Sequence, residues 1–86
     1  MTFNNMDIRE EKITGMISMT DMWKATGSNK NQSPYEWLRL PGTKDFIKTL
    51  KKHIPGLPRN LTKSKGRLGT YAHWQVSLAY ATKPAG

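Results

Sequence analysis

The sequence predicts an α+β fold: a small domain of short strands and a basic hairpin wing, packed on three to four helices. Three observations predict it. Residues 63–81, KSKGRLGTYAHWQVSLAYA, open as a basic, glycine-punctuated turn and then become a nearly all-apolar helical pattern. This is the build of a winged helix, with one end anchored in a core and the other projecting a cationic loop. Ile13, Gly15, Ile17 and Met19 alternate with Thr14, Met16 and Ser18, the period of a strand with one face inward. Helix start and stop signals recur between these two regions.

The elements follow in order. Residues 3–9 carry a weak signal for a first short strand. Residues 13–19 form the alternating strand, with Gly15 marking a bulge. Thr20 starts a helix, Asp21 supplies the acidic group that the helix dipole favours in the first turn, and Gly27 closes it. So short a helix needs packing, which Trp23 supplies. Residues 27–33 are a polar loop. Ser33-Pro34-Tyr35-Glu36 is a capping box with proline at the first helical position. Pro41-Gly42 ends that helix, and Thr43 caps the next, which runs to about His53.

On this longer helix Phe46, Ile47, Leu50 and Ile54 form a core-facing stripe. Lys44, Lys48, Lys51 and Lys52 lie roughly opposite. Residues 55–62 are an extended connection leading into the first hairpin strand. A tight reversal is expected near Lys65-Gly66, with the second strand at about Arg67 to Tyr71. Thr70 is expected to cap a last helix running to Thr82. On its wheel Tyr71, Trp74, Leu78 and Ala81 share one face and Ala72, Val76 and Ala79 another, so this helix is expected to be buried on two sides.

The 86 residues suit one domain, 1–86, with its core over about 13–82. Three Trp with scattered Met, Leu and Ile supply that core. Cysteine is absent, which excludes disulfides and thiolate metal sites and favours an intracellular setting. No apolar run reaches the ~20 residues of a membrane span, and MTFNNMDIREE is not a signal peptide.

Net charge is +8 and unevenly placed. Residues 1–21 set Arg9 and Lys12 against Asp7, Glu10, Glu11 and Asp21, a net −2; residues 22–86 set twelve basic residues against Glu36 and Asp45, a net +10. From Lys44 to Arg67 eight basic residues face only Asp45. Clustered positive charge points to a polyanion, most often nucleic acid.

Catalysis finds no support. His53 and His73 are the two histidines, and both read as structural. No Ser-His-Asp set, carboxylate pair or metal-ligand spacing assembles, so the chain reads as not an enzyme, with no cofactor and no metal. Gly66-x-x-Gly69 lacks the Gly-Lys-Ser/Thr ending of a Walker loop. The same glycines flanked by Lys63, Lys65 and Arg67 suit a wing on a nucleic-acid backbone. Tyr35, Trp37, Tyr71 and Trp74 have helical spacing that assigns them to the core rather than to base stacking.

Three blocks carry a family resemblance: Gly15-Met-Ile-Ser-Met-Thr-Asp-Met-Trp-Lys-Ala-Thr-Gly27, then Glu36-Trp-Leu-Arg-Leu40 with Phe46-Ile47, then Gly69-Thr-Tyr-Ala-His-Trp74 with Ala79-Tyr-Ala81. In this order they resemble the KilA-N domain of phage, bacterial and large DNA-virus proteins, over roughly residues 13–82. That domain is related to the APSES domain of fungal transcription factors. The resemblance implies a winged helix-turn-helix-like DNA binder. Residues 20–26 would be the first helix of the motif, residues 34–53 would contain the recognition element, and Lys63 to Arg67 would be the wing. It also implies core and turn roles for Trp23, Trp37, Gly69 and Thr70. Family members commonly continue past the last helix, often into a second domain. Ending at Gly86, this sequence reads as a trimmed module or a short stand-alone protein.

The expected contacts follow. Lys44, Lys48, Lys51 and Lys52 would meet phosphates from the helix, Lys63, Lys65 and Arg67 from the wing, and Arg59 from the connection. Arg39 and the loop residues Asn29, Lys30, Asn31 and Gln32 are the candidates for reading bases, because amides and arginine carry a hydrogen-bond code. Double-stranded DNA is the expected partner, with RNA as the alternative. The setting would be a phage or bacterial regulatory protein in the cytoplasm of a bacterial host or a virus-infected cell. The competing class is a phage inhibitor that binds a host protein or nucleoprotein complex, such as a defence system.

Overall fold

The computed structural model describes residues 2–57 and 60–82. The order is β1 (Thr2–Phe3), β2 (Met6–Asp7), β3 (Ile17–Ser18), α1 (Met19–Ala25), a 3-10 turn (Lys30–Gln32), α2 (Pro34–Arg39), α3 (Pro41–His53), β4 (Thr62–Ser64), a second 3-10 turn (Gly66–Leu68), β5 (Thr70–Ala72) and α4 (Trp74–Ala81). The α+β class is as expected.

The chain opens with two reversals rather than one strand after another. β1 and β2 pair antiparallel across Asn4 and Asn5. Both asparagines have positive φ, 50° and 65°, the turn whose twist matches the flanking strands. A second reversal joins Glu10, which bridges Ile17, to β3. In it Glu11 N donates to Met16 O and Gly15 N to Glu11 O, both at 2.8 Å. These turn bonds capture residues 12–15, so the alternating stretch 13–19 is a strand only at Ile17–Ser18. Ile13 stands 96% exposed on the turn.

The three-stranded sheet runs β3-β5-β4, all antiparallel, with Ile17 opposite Ala72 and Lys63 opposite Tyr71. β5 is therefore the central strand, paired on both edges. The second hairpin strand, expected at about Arg67 to Tyr71, is realised as Thr70–Ala72, residues 66–68 forming a 3-10 turn, and its pairing overrides the helix expected from Thr70. The last helix starts at Trp74, and its cap is His73, whose Nδ1 accepts from Gln75 N at 3.2 Å. Thr70 does not cap it.

Of the two faces expected to be buried only one is: Val76, Ser77 and Tyr80 are buried, while Trp74 and Leu78 on the other are 52% and 49% exposed. Ser77 Oγ donates to Ile17 O at 3.1 Å, tying α4 to the sheet.

Two other helix starts differ from expectation. α1 begins at Met19 rather than Thr20, capped by Ser18, whose Oγ accepts from Asp21 N at 3.1 Å. The Thr20 hydroxyl instead accepts from Thr70 N at 2.9 Å. α3 begins at Pro41 on Leu40, with no side-chain cap; proline needs no partner for an N–H it lacks. Thr43 is buried inside the first turn. The Ser33 cap of α2 is as expected, with Ser33 Oγ accepting from Glu36 N at 3.3 Å.

The core is Ile8, Ile17, Met19, Met22, Leu61, Ala72, Val76 and Tyr80. Trp23 and Trp37 flank it partly buried, Trp37 packing tilted on Tyr80 with ring centres 5.1 Å apart. Met19 and Met22 are fully buried, flexible side chains that fill the small interior.

Candidate nucleic-acid interface

α2 and the start of α3 stand against the β4–β5 hairpin, leaving a groove of about 300 Å³ between them. Arg39, Lys44 and Lys63 line it, one from each of α2, α3 and β4, together with Tyr35, Leu38 and the hydroxyl residues Thr62, Ser64 and Thr70. Three cations from three elements thus share one concavity. On α3, Lys48 and Lys51 follow Lys44 at i+4 and i+7 and share its face, while Lys52 is turned about 80° further round. All four are exposed.

The hairpin lysines are engaged. Lys63 Nζ lies 3.5 Å from Glu11 Oε2, and Lys65 Nζ donates to the same oxygen. Thr14 Oγ1 donates to Glu11 Oε1 at 2.6 Å. Lys65, with help from Thr14, holds the Glu11 carboxyl at about 2, well below its ordinary range. Lys65 also sits 4.9 Å over the Tyr71 ring. Arg67 is exposed in the 3-10 turn at the hairpin tip.

That tip is fastened from below. Arg9 Nη2 donates to Leu68 O at 3.0 Å and to Asp21 Oδ1 at 2.9 Å. Gly69, at φ 96°, lies so close to Thr20 that a Cβ there would fall 2.5 Å from Thr20 Oγ1. Glycine is required on both counts.

Of the loop candidates, Lys30 and Asn31 are exposed, but neither lines the groove. Asn29 Oδ1 accepts from Asn31 N, its carbonyl accepts from Trp23 Nε1, and Gln32 O accepts from the Tyr80 hydroxyl. These bonds set the loop's shape. His53 is exposed at the end of α3. Arg59 lies outside the described residues.

Tyr35 departs from its expected core place: it is 67% exposed, at the groove. Its position two residues before the inward-facing Trp37 puts it on the opposite side of α2, a signal that was available. Glu11 as partner of the hairpin lysines carried none, since 52 and 54 residues separate them. Elsewhere Phe46, Leu50, Trp74 and Leu78 line a shallow apolar strip between α3 and α4. No helix of the described residues is long and apolar enough to cross a membrane.

A family model described as the KilA-N domain matches residues 1–83. Comparisons with curated proteins and with solved structures return no match.

Proposed function

The chain belongs to the KilA-N domain family, generally a DNA-binding module, and on that premise we propose that it binds double-stranded DNA as a winged helix-turn-helix. The carrying observation is the convergence of Arg39, Lys44 and Lys63 on one groove. In this reading α3 lies along the duplex with Lys44, Lys48 and Lys51 toward phosphates, and the β4–β5 hairpin is the wing, with Arg67 at its tip. Lys52, turned further round, is a flanking phosphate contact. Lys30 and Arg59 are outlying ones. Arg39 and the loop at Asn29–Gln32 approach base edges. The module serves a phage or bacterial regulatory protein inside the cell, and no bond-making chemistry is assigned to it.

The test is a gel shift with mixed-sequence duplex across a salt series. A log–log slope of roughly −4 to −6 is expected if about five to seven phosphates are neutralised. A flat response removes the phosphate-contact reading. RNA duplex in the same series separates the two nucleic acids.

One observation favours a second reading, an inhibitor that captures a host protein: the exposed apolar strip containing Phe46, Trp74 and Leu78. Large exposed apolar patches mark interaction sites. A nuclease-resistant complex from host lysate, without duplex binding at low salt, would support it.

A further inference from the structure

Tyr35 and Arg39 are one turn apart on α2, and the Arg39 guanidinium carbon lies 5.1 Å from the centre of the Tyr35 ring. Glu36 Oε1 is 3.5 Å from Arg39 Nη1. Both groups are solvent-facing, with Arg39 60% exposed at its side chain. Tyr35 is the most exposed aromatic among the described residues. An exposed tyrosine that packs under an arginine orients it: cation–π contact sets the guanidinium over the ring, and the i,i+3 carboxylate restrains it from one side. A planar fork restrained in this way is matched to two acceptors in one plane. Among base edges in the major groove, guanine O6 and N7 provide that pair.

We infer that Arg39 reads a guanine in the major groove and that Tyr35 is its positioning residue. The inference rests on the duplex-binding reading above and names what that site selects. Lys44 and Lys63, the other cations of the groove, are flexible point charges without the planar fork and hold backbone phosphates.

The experiment is selection of bound duplexes from a randomised pool, followed by replacement of each enriched guanine with 7-deazaguanine. That base lacks the N7 acceptor and leaves the backbone charge unchanged. The intact protein should lose about tenfold in affinity at one position. Arg39→Ala and Tyr35→Ala should bind guanine and 7-deazaguanine duplexes alike. Tyr35→Phe, which keeps the ring, should discriminate as the parent does. Arg39→Lys should keep salt-dependent binding with a reduced preference, since lysine reaches the same acceptors without the planar fork.

Selected pools without guanine, or equal binding of the 7-deaza duplexes, overturn the guanine assignment and leave phosphate binding standing. An Arg39→Ala loss that is equal on both duplexes makes Arg39 a phosphate contact and also overturns it. No duplex binding at low salt sinks both readings.

Discussion

Arg9 grips Asp21 through two side-chain nitrogens, Nε to Oδ2 at 2.7 Å and Nη2 to Oδ1 at 2.9 Å, and its backbone N donates to the same carboxylate at 2.9 Å. A carboxylate at the first turn of α1 is thereby joined to the chain entering from β2. Through Arg9 Nη2 and Leu68 O it is joined also to the hairpin tip. The Arg9 hydrogen bond holds the Asp21 carboxyl below its ordinary range, against the upward push of burial. A lowered folded-state value stabilises fully above the unfolded value near 4, and the contribution is lost as pH falls through the folded value. Asp21→Ala should destabilise by about 2 kcal/mol at neutral pH, as loss of charge-assisted hydrogen bonds does. Its stability should also fall less steeply than the parent's below about pH 4. Denaturant melts at several pH values measure both, with Glu11 still titrating in each protein.

Gly69 and Thr20 form a contact that admits no Cβ. Gly69→Ala should cost about 2 kcal/mol through its left-handed φ and the collision. Adding Thr20→Ala should return only part of the loss, because the backbone angle stays strained and the Thr20 Cβ, 2.7 Å from the added methyl, remains. A double-mutant cycle on thermal unfolding reads the coupling. Additivity of the two changes would place the cost in the backbone angle and the Cβ contact rather than in the Thr20 hydroxyl and methyl.

Glu11 holds two wing lysines that phosphates would also attract. Glu11→Gln should therefore tighten duplex binding at low salt and steepen the log–log slope by about one for each lysine freed. With its carboxyl at about 2, the pair's contribution to stability is complete above the ordinary carboxylate range and fades only as pH falls through that value. Affinity should thus show no Glu11-linked change between about pH 5 and 8. An unchanged slope in Glu11→Gln would mean that Lys63 and Lys65 stay off the backbone.

Tyr80 is buried, and its hydroxyl donates to Gln32 O. Burial raises its pKa, so the hydroxyl keeps its proton at all ordinary pH. Tyr80→Phe should cost about 1 kcal/mol by leaving a carbonyl short of a partner. It should also speed amide exchange over residues 29–33. Unchanged exchange there would show that the Asn29 bonds suffice.

Charge reversal should rank by place in the groove. Lys44→Glu and Lys63→Glu should weaken duplex binding more than Lys52→Glu. Melting temperatures should be alike for Lys44→Glu and Lys52→Glu, since exposed charges contribute little to stability, and lower for Lys63→Glu, which sets a second carboxylate beside Glu11. Equal losses would argue for a diffuse cationic face.

Much of the α-helical framework was legible in the chain. Ser33-Pro34 announced α2, and the stripe from Phe46 to Ile54 with lysines opposite announced α3. These are local signals: a cap, a proline, a period. The same method failed where other hydrogen bonds competed, across the sheet at residues 70–72 and within a turn at 13–16. Residues 70–72 carry a helical pattern, yet β5 pairs with β3 and β4. Residues 13–16 alternate like a strand, yet turn hydrogen bonds fold them back.

The α+β class, the family and the basic character of residues 44–67 can be read from the chain alone, because each is written in composition, short spacings and ordered blocks. Which cations meet depends on how the elements pack. Packing brought Arg39, Lys44 and Lys63 to one groove and gave Lys65 to Glu11. Chain reversals at residues 4–5, 12–15 and 65–69 bring distant residues together, and no local period records that proximity.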